Sequence, residues 1–298
     1  MTSEYVNNSA SQQSIGRVTI DALVQEIGTK ISSEGVDRGK LRGLDIACGP
    51  GNLTIELRDV LQANFPGNAL ELSGLDYTEE NVKRLLEASR ESVGGIVGSF
   101  FDMQADPASV DFVFSNEGLH WQPPYEMDEI IYTHLPDEQR AEYERQALAN
   151  FEAAIANIFN YLDEDGVAVV QFGHAGQLRK LWDLLKQVFD EEAFCKAKKN
   201  FTMPLFYPTE AQIKEAFRKA GFQDSHFDIS AFNQDLVEDS PEKILGFFRA
   251  FSESGLQACM SDSKVEAFYQ VLGEKLEQMD VAEFRKDQWH RTLVRARK

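Results

Sequence analysis

Cysteine is scarce in this sequence. Only Cys48, Cys195 and Cys259 occur in 298 residues, and they lie far apart. An odd number of widely separated cysteines fits neither a disulfide framework nor a CxxC metal site. No window approaches the ~18 consecutive apolar residues of a membrane-spanning helix, and the polar start MTSEYVNNSASQQS has no apolar signal-peptide core. We therefore expect reduced thiols, a cytoplasmic location and no membrane partner.

Positive charge is also in short supply. The chain has 30 basic and 49 acidic residues, which gives a formal net charge of -19. Nucleic acid binding depends on clustered basic residues facing phosphates, so we expect no nucleic acid partner. The histidines show no ligand spacing such as HExxH, so no metal site is predicted.

Short apolar segments alternate with helical patterns along the first part of the chain. Such alternation predicts right-handed βαβ units and a doubly wound, mostly parallel α/β sheet. The predicted strands are LRGLDIAC (41–48), ALELSGLDY (69–77), GGIVGSF (94–100), SVDFVFSN (109–116), VAVVQFG (167–173), FQDSHFDI (222–229) and WHRTLVRARK (289–298).

The longer helical patterns lie between and after these strands. One runs from Asp137 to about Leu162, one is closed by Gly221, and one runs from Asp239 to about Met279. The first dozen residues are rich in Asn, Ser and Gln, which is the composition of a disordered tail.

A glycine loop follows the first predicted strand in LDIACGPGNLT. Gly49 and Gly51 let the backbone approach a ligand and point bare amides at an anionic group. Asp76 ends the second strand, 25 residues after Gly51, where its carboxylate can accept ribose hydroxyls. Asp45 lies within the first strand, where a carboxylate is hard to explain as core. An ordinary tight turn is the alternative interpretation of the glycines alone.

The residue three positions after Gly51 separates two kinds of cofactor. A dinucleotide site requires Gly or Ala there, whereas this chain has Thr54, so NAD or FAD is the weaker hypothesis. The pattern hhDhxCGxGxxT followed by a strand-end Asp resembles motifs I and II of class I methyltransferases. That resemblance implies S-adenosylmethionine, which has an amino-acid tail and no phosphate.

Several further segments, in order along the whole chain, resemble the SABATH family of carboxyl and xanthine-nitrogen methyltransferases. YVNNSASQ (5–12) is similar to the family's SYAxNSxxQ, VGSFFDM (97–103) to PGSFYGR, and SNEGLHW (115–121) to SSYSLHW. NFTMPLFYPTEAQIKEAFRKAGF (200–222) resembles FNxPxYxPSxEEVxxxIxxxGSF, and RAFSESGL (249–256) resembles RAxxEPxL. The chain departs from the family at the loop CGPGNLT, where CSSGPNT is usual, and it is shorter than the plant enzymes. It therefore resembles a divergent member.

The resemblance implies roles for individual positions. It assigns the cofactor to Ser9, Asp45, Gly49, Gly51, Asn52, Asp76, Tyr77, Ser99, Phe100 and Ser115. It assigns the substrate to Tyr5, Gln12, His120, Trp121, Trp182 and Phe206, with Gln12 and Trp121 as the catalytic pair. An amide N–H and an indole N–H are neutral donors that hold a carboxylate without quenching its lone pairs.

Together with the helical patterns after the fifth strand and after Ile229, the resemblance predicts four parts of the chain. Residues 1–36 form an N-terminal gate and helix, 37–175 the cofactor-binding core, 176–206 with 234–280 a helical cap, and 207–233 with 281–298 the rest of the sheet. The expected reaction is esterification of a small organic acid. Methylation of a ring nitrogen and a catalytically silent cofactor-binding protein are the alternatives. A homodimer is expected only because the resemblance to the family implies one.

Overall fold

The computed structural model describes residues 10–34, 39–101, 108–121, 137–201 and 205–298. Within these ranges the strands are β1 (Lys40–Ile46), β2 (Ala69–Asp76), β3 (Gly94–Val97), β4 (Val110–Asn116), β5 (Leu162–Gly173), β6 (Phe227–Gln234) and β7 (Trp289–Arg297). The helices are α1 (Ala10–Glu34), α2 (Asn52–Asn64), α3 (Glu79–Ser89), α4 (Asp137–Tyr161), α5 (Arg179–Phe189), α6 (Glu210–Ala220), α7 (Pro241–Cys259), α8 (Asp262–Glu277) and α9 (Val281–Arg285), with a 3₁₀ helix at Ala197–Asn200.

The strands form one seven-stranded sheet in the order β3-β2-β1-β4-β5-β7-β6. The first five strands are parallel, and β7 runs antiparallel to both β5 and β6. The chain winds outward in both directions from β1, so the strand order reverses between β1 and β4. This arrangement confirms the predicted doubly wound, mostly parallel α/β sheet. A ligand in such a sheet binds beyond the carboxyl ends of the strands at the reversal.

Helices cover both faces of the sheet, which explains why the central strands are apolar runs without alternation. On one face α1, α2 and α3 pack on residues such as Phe112, Phe114 and Val169. On the other face α4 and α6 pack on Val113 and Val170. A third apolar cluster joins α5, α7 and α8.

The path of α1 matters for the site. Near its amino end, a Cβ on Gly16 would lie 2.6 Å from Leu53 in the first turn of α2. The hydroxyl of Thr19 donates to Asn116 Oδ1, 3.0 Å away at the carboxyl end of β4. Further along, Lys30 Nζ donates to the carbonyl of Asp165, ahead of the buried part of β5. The amino end of α1 therefore lies at the carboxyl edge of the sheet.

Several predicted boundaries were wrong; β3, for example, ends at Val97 and not at Phe100. The strand predicted at 222–229 begins only at Phe227, because the N–H of Phe222 bonds the carbonyl of Phe217 and closes the end of α6. The helical pattern from Asp239 to Met279 is two helices, α7 and α8, separated by extended backbone at Met260. Strand β5 begins at Leu162, directly after α4, rather than at Val167.

Residues 10–12, the last of the polar first dozen, belong to α1 and not to the tail that their composition indicated. Among the described residues, no helix has the length and apolar character needed to cross a membrane.

Candidate active site at the carboxyl edge of the sheet

The loop between β1 and α2 has two left-handed glycines with different constraints. Gly51 has φ 88°, and a Cβ there would lie 2.3 Å from Leu85 Cδ1 and 3.0 Å from its Cα, so only glycine fits. Gly49 has φ 56°, but a Cβ there would meet no atom of the described residues within 4 Å. Among these residues, the backbone at Gly49 therefore borders open space, which a ligand approaching the loop requires.

Asp76 is buried where β2 ends and is the hub of the loop. Its Oδ2 accepts from the N–H of Gly49 at 3.0 Å, and its Oδ1 accepts from the N–H of Thr78 at 2.9 Å and from Asn81 Nδ2 at 3.1 Å. A carboxylate has about four acceptor directions, so these bonds leave roughly one for a ligand. Asp76 thus both shapes the glycine loop and retains a free acceptor beside it.

Asp45 lies one strand away, almost fully buried in β1. Its Oδ2 accepts a 2.6 Å hydrogen bond from the hydroxyl of Thr54. Burial raises the pKa of Asp45 to about 7; the negative charge of Asp76 adds to this, and the Thr54 bond opposes it. Asp45 therefore changes charge near neutral pH. In the sequence, Thr54 was only evidence against a dinucleotide cofactor. In the structure, its hydroxyl is the hydrogen-bond partner of the Asp45 carboxylate.

Phe100 and Ser99 follow β3, on the far side of β2 from β1. The carbonyls of Phe100 and Phe101 both accept from Asn157 Nδ2 of α4, at 2.8 and 3.1 Å, so α4 fixes this turn. The ring of Phe100 is buried against Phe101, with ring centroids 4.1 Å apart. The turn brings an aromatic ring to the carboxyl edge, where Asp76 also lies.

The other predicted cofactor residues differ in exposure. Ser115 is fully buried and its hydroxyl donates to the carbonyl of Ile46 at 2.9 Å, so it ties β4 to β1. Asn52, at the start of α2, and Tyr77, directly after Asp76, are exposed, Tyr77 to 67%. Their predicted contacts with a cofactor stay predictions.

The segment after β4 positions His120 and Trp121. The N–H of Trp121 donates to the carbonyl of Gly118 at 3.0 Å, and Trp121 forms an antiparallel bridge with Leu205. The carbonyl of His120 accepts from the N–H of Phe206 at 2.8 Å. These backbone bonds hold Trp121, which is partly buried, between the end of β4 and the chain that leads to α6.

His120 is buried and neutral. Its Nδ1 accepts from the N–H of Gly173 at 3.2 Å, so Nε2 carries the ring proton. Burial lowers the pKa of His120 to about 4, the nearby Arg291 lowers it further, and Glu117 opposes the shift. His120 therefore stays uncharged throughout the neutral range.

Trp182 and Phe206 lie in different clusters. Trp182 of α5 is partly buried and meets Phe248 of α7 edge-on, with ring centroids 6.5 Å apart. Phe206 is buried in the main core, 6.3 Å from Phe151. Core packing accounts for the position of Phe206, and the roles of both residues in substrate binding stay predictions.

For three predicted site residues the structure gives no side-chain position. Tyr5 and Ser9 lie outside the described residues. Gln12 belongs to α1, whose backbone is described there although its side chain is not. Gln12 precedes Gly16 by about one helical turn, and Gly16 packs on Leu53 beside the glycine loop.

The structure also brings together polar residues that the sequence did not single out. Arg291 of β7 is fully buried and forms an ion pair with Glu117, the residue after β4. Gln171 is buried in β5, and its carbonyl accepts from the N–H of Glu117 at 2.9 Å. Two signals were available: a lone glutamine within the apolar segment VAVVQFG, and an arginine in the last predicted strand.

The strand order, the glycine loop after β1 and the buried carboxylate at the end of β2 define the class I methyltransferase fold. A family model described as "Methyltransferase domain" matches residues 37–297. The chain belongs to this methyltransferase family.

Two solved methyltransferases are similar to this chain, the first of them over the whole fold. A loganic acid methyltransferase solved with S-adenosylhomocysteine has a TM-score of 0.76 and 14% identity, over 99% of this chain and 96% of that one. A phosphoethanolamine N-methyltransferase from Haemonchus contortus has a TM-score of 0.46 and 17% identity, over 92% of this chain and 52% of that one. Among curated proteins, none matches this sequence.

Proposed function

We propose that the protein is an S-adenosylmethionine-dependent O-methyltransferase that converts the carboxylate of a small organic acid to its methyl ester, as a divergent SABATH-type enzyme. The observation that carries the proposal is the course of α1. Its amino end lies between the glycine loop and the end of β4, through Gly16 against Leu53 and Thr19 bonded to Asn116. This course brings the helical turn that holds Gln12 to the edge at which Trp121 stands.

The residues around the glycine loop fit S-adenosylmethionine, which supplies a methyl group activated on a sulfonium sulfur. Asp76 has an acceptor direction left for a ribose hydroxyl, and the backbone at Gly49 has open space beside it. The ionised carboxylate of Asp45 suits the ammonium of the amino-acid tail. The segment LDIACGPGNLT (44–54) contains no basic side chain, so it offers no positive charge to a pyrophosphate.

The acceptor side needs no protein base. A carboxylic acid with a pKa near ~4 is already ionised at neutral pH. Gln12 and Trp121 hold the carboxylate with neutral N–H donors and aim one oxygen at the methyl group. His120 is neutral, and its Nδ1 accepts from the N–H of Gly173. It therefore places no positive charge beside the substrate carboxylate that would lower the nucleophilicity of the oxygen. Alignment and exclusion of water supply the rate enhancement.

The test is a screen of benzoate, salicylate, cinnamate, indole-acetate and fatty acids, with xanthines as nitrogen acceptors, using methyl-labelled S-adenosylmethionine. We expect label in an extractable product that mild base hydrolyses, because a methyl ester is base-labile. Label in a base-stable product from xanthines would instead favour a ring-nitrogen acceptor. Tight cofactor binding without turnover on any acceptor would indicate a silent binding protein, and either result would contradict the proposal.

A further inference from the structure

A buried polar cluster surrounds Gly173, at the carboxyl end of β5. Arg291 pairs with Gly173 across the β5–β7 ladder, and Gln171 lies two residues earlier on β5. Residues two apart on a strand, and directly opposed residues, point to the same face of a sheet. The side chains of Gln171 and Arg291 therefore share one face. The amide of Gln177 lies on this face as well, since a Cβ on Gly173 would be 2.8 Å from Gln177 Cδ.

The charges of this cluster are balanced. Arg291 is fully buried, forms an ion pair with Glu117 and stacks on the ring of Trp289, with its guanidinium carbon 4.0 Å from the ring centroid. The negative charge of Glu238 acts on the same guanidinium. A further anion placed here would meet no uncompensated positive charge.

The described residues do not satisfy the hydrogen bonds of the cluster. Both amide atoms of Gln171, the amide oxygen of Gln177 and the indole N–H of Trp289 are buried and find no hydrogen-bond partner among them. The guanidinium nitrogens of Arg291 likewise lack a well-directed hydrogen bond despite the ion pair. Native proteins pair nearly all such groups, with protein, water or ligand, because burying them unpaired is unfavourable.

The cluster adjoins the acceptor side of the site. The N–H of Gly173 donates to His120, whose ring lies 5.9 Å from that of Trp121, centroid to centroid. The ring of Tyr207 lies 5.5 Å from that of His120, and its Cε1 would be 2.9 Å from a Cβ on Gly173. The unsatisfied amides are thus linked through His120 to the tryptophan proposed to hold the acid.

We propose that Gln171, Gln177 and Arg291 form a second subsite, which holds a neutral hydroxyl group of the acid substrate. The inference rests on the proposed function and narrows the substrate to hydroxylated acids. A glutamine amide both donates and accepts, which matches a hydroxyl. A second carboxylate is disfavoured because Glu117 already neutralises Arg291.

The test compares acids that differ by one hydroxyl: benzoate with 3- and 4-hydroxybenzoate, cinnamate with 4-hydroxycinnamate, and cyclohexanecarboxylate with its 3- and 4-hydroxy derivatives. We expect at least one hydroxylated acid to have a kcat/KM about tenfold or more above its partner, because unpaired buried groups reject the analogue that lacks the hydroxyl. Gln171→Met keeps the length of the side chain and removes the amide. It should lower the kcat/KM of the hydroxylated acid alone, so that the ratio of kcat/KM within a pair falls to about one.

Two further variants separate a subsite from a structural role. Gln177→Met should also lower the ratio, and it remains informative if Gln171→Met does not fold. Thr292→Val, a buried residue on the opposite face of β7 from Arg291, should leave the ratio unchanged. Equal losses for both acids of a pair, or a ratio near one in the parent for every pair, would overturn the inference. A Gln171→Met variant that is less stable with an unchanged ratio would do the same, since the amide would then have a structural partner such as an internal water.

Binding keeps this inference distinct from the proposed function. Thermal stabilisation by each acid, measured with S-adenosylhomocysteine present, needs no turnover. Preferential stabilisation by hydroxylated acids without ester formation would support the subsite and contradict the ester-forming chemistry. Ester formation from all acids without any preference would support the chemistry and contradict the subsite.

Discussion

The charge of Asp45 provides a sharp test of the cofactor site. Because burial raises its pKa to about 7, the cofactor-free protein holds a protonated carboxyl below that pH and a carboxylate above it. If the carboxylate binds the ammonium of the cofactor tail, only the ionised form binds well. Apparent affinity then scales with the ionised fraction. With this pKa, affinity should fall about 25-fold between pH 7.5 and 5.5, or about 1.9 kcal/mol.

Calorimetric titration with S-adenosylhomocysteine at pH 5.5, 6.5 and 7.5 measures this effect. The variant Asp45→Asn still accepts the hydroxyl of Thr54 but cannot ionise, so its affinity should lack the component that depends on Asp45. Titration of the ligand's own amino group is common to both proteins and cancels in the ratio of parent to variant affinity. That ratio should rise with pH through 7.

Asp111→Asn is the matched control. Asp111 is also buried, but it lies near the amino end of β4 and binds Arg42, away from the glycine loop. Its pH profile of affinity should match that of the parent. A parent affinity that does not change with pH, or an Asp45→Asn profile identical to the parent's, would refute the role given to Asp45.

Three other results are expected. Asp76→Ala should weaken S-adenosylhomocysteine binding by roughly 10- to 100-fold, through loss of a charge-assisted hydrogen bond worth about 1.5–3 kcal/mol, and tight NADH binding by the parent would contradict the assignment. Gly51→Ala should lower the melting temperature without cofactor more than Gly49→Ala, since a Cβ at Gly51 meets Leu85 whereas one at Gly49 meets nothing; equal losses would contradict this reasoning. With saturating substrates, kcat should be flat from about pH 6 to 9 because no side chain acts as a base. A limb that disappears in His120→Ala would contradict that mechanism.

The sheet could be predicted from the sequence because its central strands are buried on both faces and therefore read as apolar runs between helical patterns. The boundaries were less accessible. Phe222 looks like the first residue of a strand, yet its N–H caps α6 and its ring packs on Phe217 and Phe159. Nothing in the local pattern distinguishes these two uses of a phenylalanine.

The cofactor loop was predictable because its constraints are local. Gly51 needs positive φ, and Asp76 ends a strand that neighbours β1, so spacing along the chain reflects distance in space. The polar cluster around Gly173 was not predictable in this way. The cluster forms because β7 lies between β5 and β6 in the sheet, which brings Arg291 to Glu117 and Gln171. The spacing of these residues along the sequence does not predict that strand order.

The most direct test of the central claim is the pair of donors proposed to hold the substrate carboxylate. For the best acid from the screen, Gln12→Ala and Trp121→Phe should each lower kcat/KM by roughly 10- to 100-fold, since a hydrogen bond to a charged group contributes about 1.5–3 kcal/mol. Gln13→Ala, the same substitution one position along α1, should have little effect, and affinity for S-adenosylhomocysteine should be unchanged in all three variants. Deletion of residues 1–12 should lower kcat/KM further than Gln12→Ala. Parental ester formation by the truncated protein, or equal losses in Gln12→Ala and Gln13→Ala, would contradict the account.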